Sequence, residues 1–200
     1  MTTEEFLQMV LNGYVTTYRK NNWHTTERHL ANWTHKDLNF FIRLGESLGF
    51  IVQLEMNYEY PRDLCWCNGI KGDKPFLYLE RENKDANAVD TIKRMFEPAA
   101  NTQDIPILVA VFGEVTKETL QRVKNTVRLN VNENQCFLVI SWPPENQDVN
   151  DDDIVEGWIF SRRQETRRIA RANMDKGGYW FMYFDDKDKG WTAAATKARG

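Results

Sequence analysis

Asp63, Glu80 and Glu82 are the residues whose types and spacing could do chemistry together. Glu80 and Glu82 belong to Phe76-Leu77-Tyr78-Leu79-Glu80-Arg81-Glu82-Asn83-Lys84, whose apolar start predicts a strand. Side chains two apart on a strand share a face. The Asn68-Gly69 and Gly72-Asp73 pairs between Cys67 and Phe76 are turn signals, which would fold the strand carrying Asp63 back alongside. Three carboxylates gathered at a sheet edge would suit a hard divalent cation, Mg²⁺ or Mn²⁺. Such ions take oxygen ligands, commonly one or two carboxylates completed by water and substrate phosphates. Phosphodiester cleavage is the chemistry this suggests. The plainer alternative is an edge strand carrying solubilising glutamates.

The neighbouring elements must position those acids. Ile51 to Tyr58 alternates, with Val52, Leu54, Met56 and Tyr58 on one face and Gln53, Glu55 and Asn57 on the other, which predicts a half-buried strand. Upstream, Thr34 and Asp37 read as an N-cap with an acidic third position. Leu38, Phe41, Ile42, Gly45 and Leu48 then keep a helical period, Gly49 supplies the stop, and Glu46 rides on this helix. After Glu82, Asp85 is expected to cap a helix through about Phe96, with Val89, Ile92 and Phe96 inward. Ile105 to Phe112 is too uniformly apolar for an exposed strand and predicts a central one, covered on both faces.

In this order (helix, three-strand meander, helix, buried strand, with acids on the second and third strands) the chain resembles the PD-(D/E)xK nuclease superfamily, the restriction-endonuclease-like fold. The resemblance covers about Thr34 to Glu114 and rests on short motifs. It implies that Asp63 and Glu80 are catalytic metal ligands, that Glu82 stands where the family usually has Lys, and that Glu46 is the additional acid some members carry on the preceding helix. Pro61 and Asp63 are split by Arg62, a departure from the family motif, and the missing lysine leaves Lys93 or Lys84 as the source of positive charge. The Glu80-Arg81-Glu82-Asn83 form is similar to a subgroup with a Glu-His-Glu-Asn signature. The resemblance implies Mg²⁺ (or Mn²⁺) as cofactor and nucleic acid as substrate, with DNA ahead of RNA, and it leaves room for a homodimer. A catalytically inactive module on the same fold, binding nucleic acid or a protein partner, is the alternative that the missing Lys permits.

At 200 residues the chain is long enough for one α/β domain with a sizeable core. The expected organisation is a helical extension over 1–33, the core motif region over 34–114, additional C-terminal strands, a basic helix, and a frayed tail over 186–200. A composition of 42% hydrophobic and 28% charged residues excludes wholesale disorder. A net charge of −3 excludes coating of nucleic acid by bulk charge, so binding must come from a local basic surface. The candidate surface is the segment from Ser161 to Lys176, read as a helix stopping at Gly177-Gly178, with Arg163, Arg167 and Arg171 in one stripe and Arg168 beside it. Guanidinium forks suit phosphate oxygens, whereas a solvated helix face is the bland reading.

Further elements are expected as an amphipathic helix from Glu4 to about Arg19, a helix near Lys117 to Leu129, and strands at Cys136–Trp142, Val155–Phe160 and Tyr179–Phe184. Pro143-Pro144 opens a long loop running to Asp153. The 3 cysteines include a C-x-C pair, which argues against a disulfide framework and a zinc ribbon. Cys65 and Cys67 share the parity of Asp63, whereas Trp66 has the opposite parity and is expected in the core. The histidines lack a metal-ligand pattern. The start Met1-Thr2-Thr3-Glu4-Glu5 lacks a signal-peptide pattern, and no apolar run reaches the ~20 residues that span a bilayer. Cytoplasmic residence and no membrane partner are the expectations.

Overall fold

The chain folds, in order, into α1 (Thr3–Thr17), α2 (Leu30–Ser47), β1 (Ile51–Met56), β2 (Arg62–Asn68), β3 (Lys74–Lys84), α3 (Asp85–Phe96), β4 (Ile107–Glu114), α4 (Lys117–Asn130), β5 (Cys136–Trp142), β6 (Asp153–Ser161), β7 (Glu165–Met174) and β8 (Trp180–Phe184). The computed structural model describes residues 1–17, 30–56, 62–69, 74–97, 102–142, 153–162, 164–174 and 180–184. The expected loop over 143–152, the Gly177-Gly178 stop, His24, His29 and the tail over 186–200 lie outside them.

One 8-stranded sheet takes its strands in sequence order. β1, β2 and β3 form an antiparallel meander, β3, β4 and β5 run parallel, and β5 to β8 are antiparallel. Parallel neighbours need a crossover connection, and α3 and α4 provide the two required. Both cover the same face, where Ala88, Ile92, Met95, Leu120, Val123 and Val127 meet Leu108, Ala110, Phe112, Phe137 and Val139. α1 and α2 cover the other face through Leu7, Leu11, Tyr14 and Phe41, against Leu64, Trp66, Leu77, Leu79, Val109 and Val111. Alternate residues of the central strands thus feed two separate cores in a three-layer α/β arrangement. β4 is buried throughout from Ile107 to Phe112, as its uninterrupted apolar run predicts.

Local chemistry explains several boundaries. Gly49 ends α2 at φ 84°, a conformation other residues rarely adopt. Gly45 lets α2 lie close on the sheet, since a Cβ there would sit 2.5 Å from Trp66 Nε1. That indole instead donates to the Phe41 carbonyl at 3.0 Å. α2 starts at Leu30, so Thr34 is an interior residue rather than the cap expected. Asp85 is likewise the first residue of α3 and not its cap. Its carboxylate accepts from the Thr116 amide at 2.7 Å and from Thr119 Oγ1 at 2.8 Å, tying the starts of α3 and α4 together. β1 is the sheet edge, so Val52 packs on the core while Leu54 stays 51% exposed.

The expected basic helix is corrected to a strand. Residues 165–174 form β7, with Arg167 opposite Trp158 and Arg168 opposite Gly157. A spacing of four is also a multiple of two, so Arg167 and Arg171 share one face of a strand as readily as one stripe of a helix. Pairing along the whole of β6 satisfies the main chain of both segments and outweighs local helix preference. The helix near Lys117 and the strands β5, β6 and β8 lie where expected.

Candidate carboxylate site

β2 and β3 pair with Leu64 opposite Leu79 and Cys65 opposite Tyr78. One step further along that register, Asp63 falls opposite Glu80. Directly opposed residues in an antiparallel pair project to the same face, and Glu82 follows Glu80 on it. Leu79 and Arg81 point the other way, into the layer under α1 and α2. The acids therefore share the face of α3 and α4, at the end of β3 where the chain turns into α3. β1 adds a position not anticipated: Leu54 pairs with Leu64 and Met56 with Arg62, so the main chain of Glu55 stands opposite Asp63.

Each carboxylate is held by an uncharged donor. Asp63 Oδ2 accepts the Arg81 amide at 2.5 Å. The Tyr78 hydroxyl donates to Glu80 Oε1, and the Lys84 amide donates to Glu82 Oε1 at 2.8 Å. Asp63, Glu80 and Glu82 are all partly buried. Among the described residues no three His, Cys, Asp or Glu side chains form a ready metal cage. The donor set still fits a hard divalent ion. Its atoms are all oxygens, Asp63 and Glu80 are cross-strand neighbours, and two carboxylates with water suffice for Mg²⁺.

Beneath these acids lies a buried polar network that the sequence reading missed. Arg81 Nε donates to Asp37 Oδ2 at 2.6 Å, with the two side chains 1% and 0% exposed. Asp37 Oδ1 accepts from the Tyr14 hydroxyl at 2.7 Å, and that oxygen accepts from Trp142 Nε1 at 2.7 Å. Arg81 Nη1 also donates to the Glu82 carbonyl at 2.9 Å and to Asn83 Oδ1, while Asn83 Nδ2 donates to Thr34 Oγ1 at 2.8 Å. Gly113 on β4 makes room, since a Cβ there would lie 3.0 Å from both Arg81 Nη1 and Asn83 Oδ1. A buried ion pair survives only with good geometry and further hydrogen bonds, and both are present. One signal was legible: Asp37 precedes Phe41 by four residues, on the inward stripe of α2.

The other expected site residues are dispersed. Glu46 is exposed on α2, the layer covering the opposite face from Glu80. Lys93 is exposed on α3 and pairs with Asp90 at 3.0 Å. Lys84 shares the strand parity of Glu80 and Glu82 and is exposed at the β3–α3 junction. Arg167 and Arg168 leave opposite faces of β7. Arg167 Nη2 meets Glu156 at 2.7 Å and its guanidinium lies 5.2 Å from the Trp158 ring centroid, whereas Arg168 Nη1 donates to Asn12 Oδ1 at 3.0 Å. Arg171 lies on β7 opposite Ile154, and Arg163 lies outside the described residues. Cys65 and Cys67 are buried, with their sulfurs 3.5 Å apart. Trp66 is in the core, as its parity requires.

No helix among the described residues is long and apolar enough to cross a membrane. Compared with family models, curated proteins and solved structures, the chain finds no significant match.

Proposed function

We propose that the chain is a metal-dependent phosphodiesterase of PD-(D/E)xK type acting on DNA. The observation that carries this reading is the β2–β3 register, which sets Asp63 across from Glu80 with Glu82 on the same face. The order of helix, antiparallel meander, helix and parallel strand supports it, being the order the resemblance implies. Asp63 and Glu80 would hold Mg²⁺ or Mn²⁺, which lowers the pKa of bound water and offsets charge developing on phosphate. Glu82 then serves as a further ligand or as the base that orients the attacking water. Lys84 is better placed than Lys93 to supply the missing positive charge, because it follows Glu82 on the same strand parity and Lys93 is paired with Asp90.

The test is cleavage of duplex, single-stranded and branched DNA, with RNA alongside, in Mg²⁺ or Mn²⁺. Nicking or cutting that EDTA abolishes, and that Asp63→Asn and Glu82→Ala each abolish with the fold retained, is the expected result. Mn²⁺ binding without cleavage of any of these substrates would favour a binding module on the same fold. The glutamate at position 82 is what favours that second reading, since it cannot supply the charge of a lysine.

A further inference from the structure

Arg81 touches both layers of the molecule at once. Its amide nitrogen binds Asp63 on the carboxylate face, while its guanidinium is committed to Asp37, the Glu82 carbonyl and Asn83 on the other. The residues carrying Glu80 and Glu82 are therefore not simply strand positions: the peptide between them is gripped through Arg81. Asp37 is fixed in turn by Tyr14 of α1, itself bonded to Trp142 of β5. The chain of contacts thus runs from both helices of one layer, through the sheet, to the carboxylates of the other face. A buried ion pair of this kind adds little to stability beyond what an apolar pair of similar volume would give. Its geometry is the more informative property. Carboxylates that share a cation need placement within about half an ångström, which a strand near the sheet margin does not secure unaided.

We infer that Arg81 and Asp37 are positioning residues for the carboxylate site, setting the placement of Asp63, Glu80 and Glu82 from the opposite side of the sheet. The inference rests on the metal-site reading above and extends it to residues that touch neither ion nor substrate. Arg81 positions Asp63 by its amide, and it positions Glu82 by holding that residue's carbonyl. Asn83, fixed by Arg81 and by Thr34, anchors the end of the strand before α3 begins.

The experiment compares the whole wild-type chain with the double variant Asp37→Leu/Arg81→Met and with Tyr14→Phe. The double variant removes both charges together and so avoids an uncompensated buried ion; Tyr14→Phe keeps the ion pair and loses only the hydroxyl. Mn²⁺ affinity is read by calorimetry, the bound-Mn²⁺ spectrum by electron paramagnetic resonance, and folding by circular dichroism and melting. We expect the double variant to fold yet bind Mn²⁺ at least tenfold more weakly with an altered spectrum, and Tyr14→Phe to weaken binding two- to fivefold. A folded double variant with wild-type Mn²⁺ affinity and spectrum overturns the positioning role while leaving the metal site intact. Should the double variant not fold, Tyr14→Phe decides alone, and unchanged Mn²⁺ binding there overturns the role. No Mn²⁺ binding by the wild-type chain overturns the metal-site reading and this inference together.

Discussion

Two charged regions open on the same face of the sheet, and they are built on opposite rules. Around β6 and β7 arginines are paired on the exposed side of the sheet: Arg167 meets Glu156 and Arg128 forks onto Glu165 at 2.5 and 2.7 Å. Lys124 lies 3.8 Å over the Trp158 ring, and the Trp158 indole donates to Glu156. Burial holds the Lys124 ammonium below its ordinary pKa. The region's two ion pairs are each internally neutral, and Lys124 is a further cation. Around β2 and β3, three like charges fall on one face of the sheet, and a phenol and two main-chain amides donate to them. Arg81, a buried cation of β3, turns its side chain to the other face, where it pairs with Asp37. The first arrangement joins α4 to β6 and β7, whereas the second is the one on which the proposed metal site rests.

The comparison is broken most severely at Arg81. Arg81→Ala takes the guanidinium away from Asp37, and breaking a buried ion pair by removing one partner costs about 3–5 kcal/mol. The matching change in the β6–β7 region, Arg128→Ala, involves side chains 40% and 27% exposed and should cost under about 1 kcal/mol. Urea denaturation of the two variants measures both. Equal losses would erase the distinction between the two regions.

A middle-sized effect is expected between them, where Asp85 joins α3 to α4. Burial works against its charged form, but hydrogen bonds from the Thr116 amide and the Thr119 hydroxyl, with Arg122 nearby, hold its pKa below the ordinary carboxylate value. Asp85→Asn should cost about 1–2 kcal/mol at neutral pH, the range for hydrogen bonds to a charged group discounted for partial exposure. The sign follows from the lowered folded pKa. The stabilisation is full above the unfolded carboxylate pKa of about 3.9 and is lost as pH falls through the lower folded value. The gap between wild type and Asp85→Asn should therefore close on the acid side. A gap independent of pH would assign the loss to packing.

Within the β6–β7 region, a double-mutant cycle on Arg128 and Glu165 should return a coupling of about 0.5–1 kcal/mol, fading in high salt. The hydrogen bond from Arg128, opposed by burial, lowers the Glu165 pKa, so the coupling should persist through neutral pH and vanish as acid protonates Glu165. A coupling near zero, with Arg128→Ala alone still destabilising, would mean that the contact of Arg128 with the Phe160 ring, not the ion pair, does the joining.

The fold was legible where one periodicity was unambiguous. β4 and β5 are buried on both faces, so their runs of Ile, Leu, Val and Phe allowed no helical reading of that length. The shared parity of Glu80 and Glu82 was equally plain, because it needs only that β3 be a strand. What was illegible depends on partners remote in the chain. Asp37 is 44 residues from Arg81, and nothing local marks an arginine between two glutamates as nearly inaccessible. The position of Glu55 opposite Asp63 comes from a register that no turn signal between β1 and β2 specified. The segment from Glu165 to Met174 was misread because its arginines satisfy both periods, and only the presence of β6 selects the strand.

The smallest expected effect concerns that same segment. As a helix stripe, Arg167 would present its guanidinium to phosphate. As a strand residue it spends that group on Glu156 and the Trp158 ring, inside the β6–β7 region. Each arginine that grips a duplex phosphate contributes about 0.9 to the slope of log affinity against log salt, because counterions are released on contact. Arg167→Gln should therefore leave the slope for DNA binding unchanged, even if affinity shifts slightly through the loss of positive charge. Binding measured by fluorescence anisotropy across a salt series, in an Asp63→Asn background that would remove the proposed cleavage, gives the slope directly. A fall of about 0.9 would place phosphate on β7 and make the β6–β7 region part of the substrate track. An unchanged slope takes Arg167 out of the phosphate contacts, whereas the proposed metal site would draw a scissile phosphate towards β2 and β3.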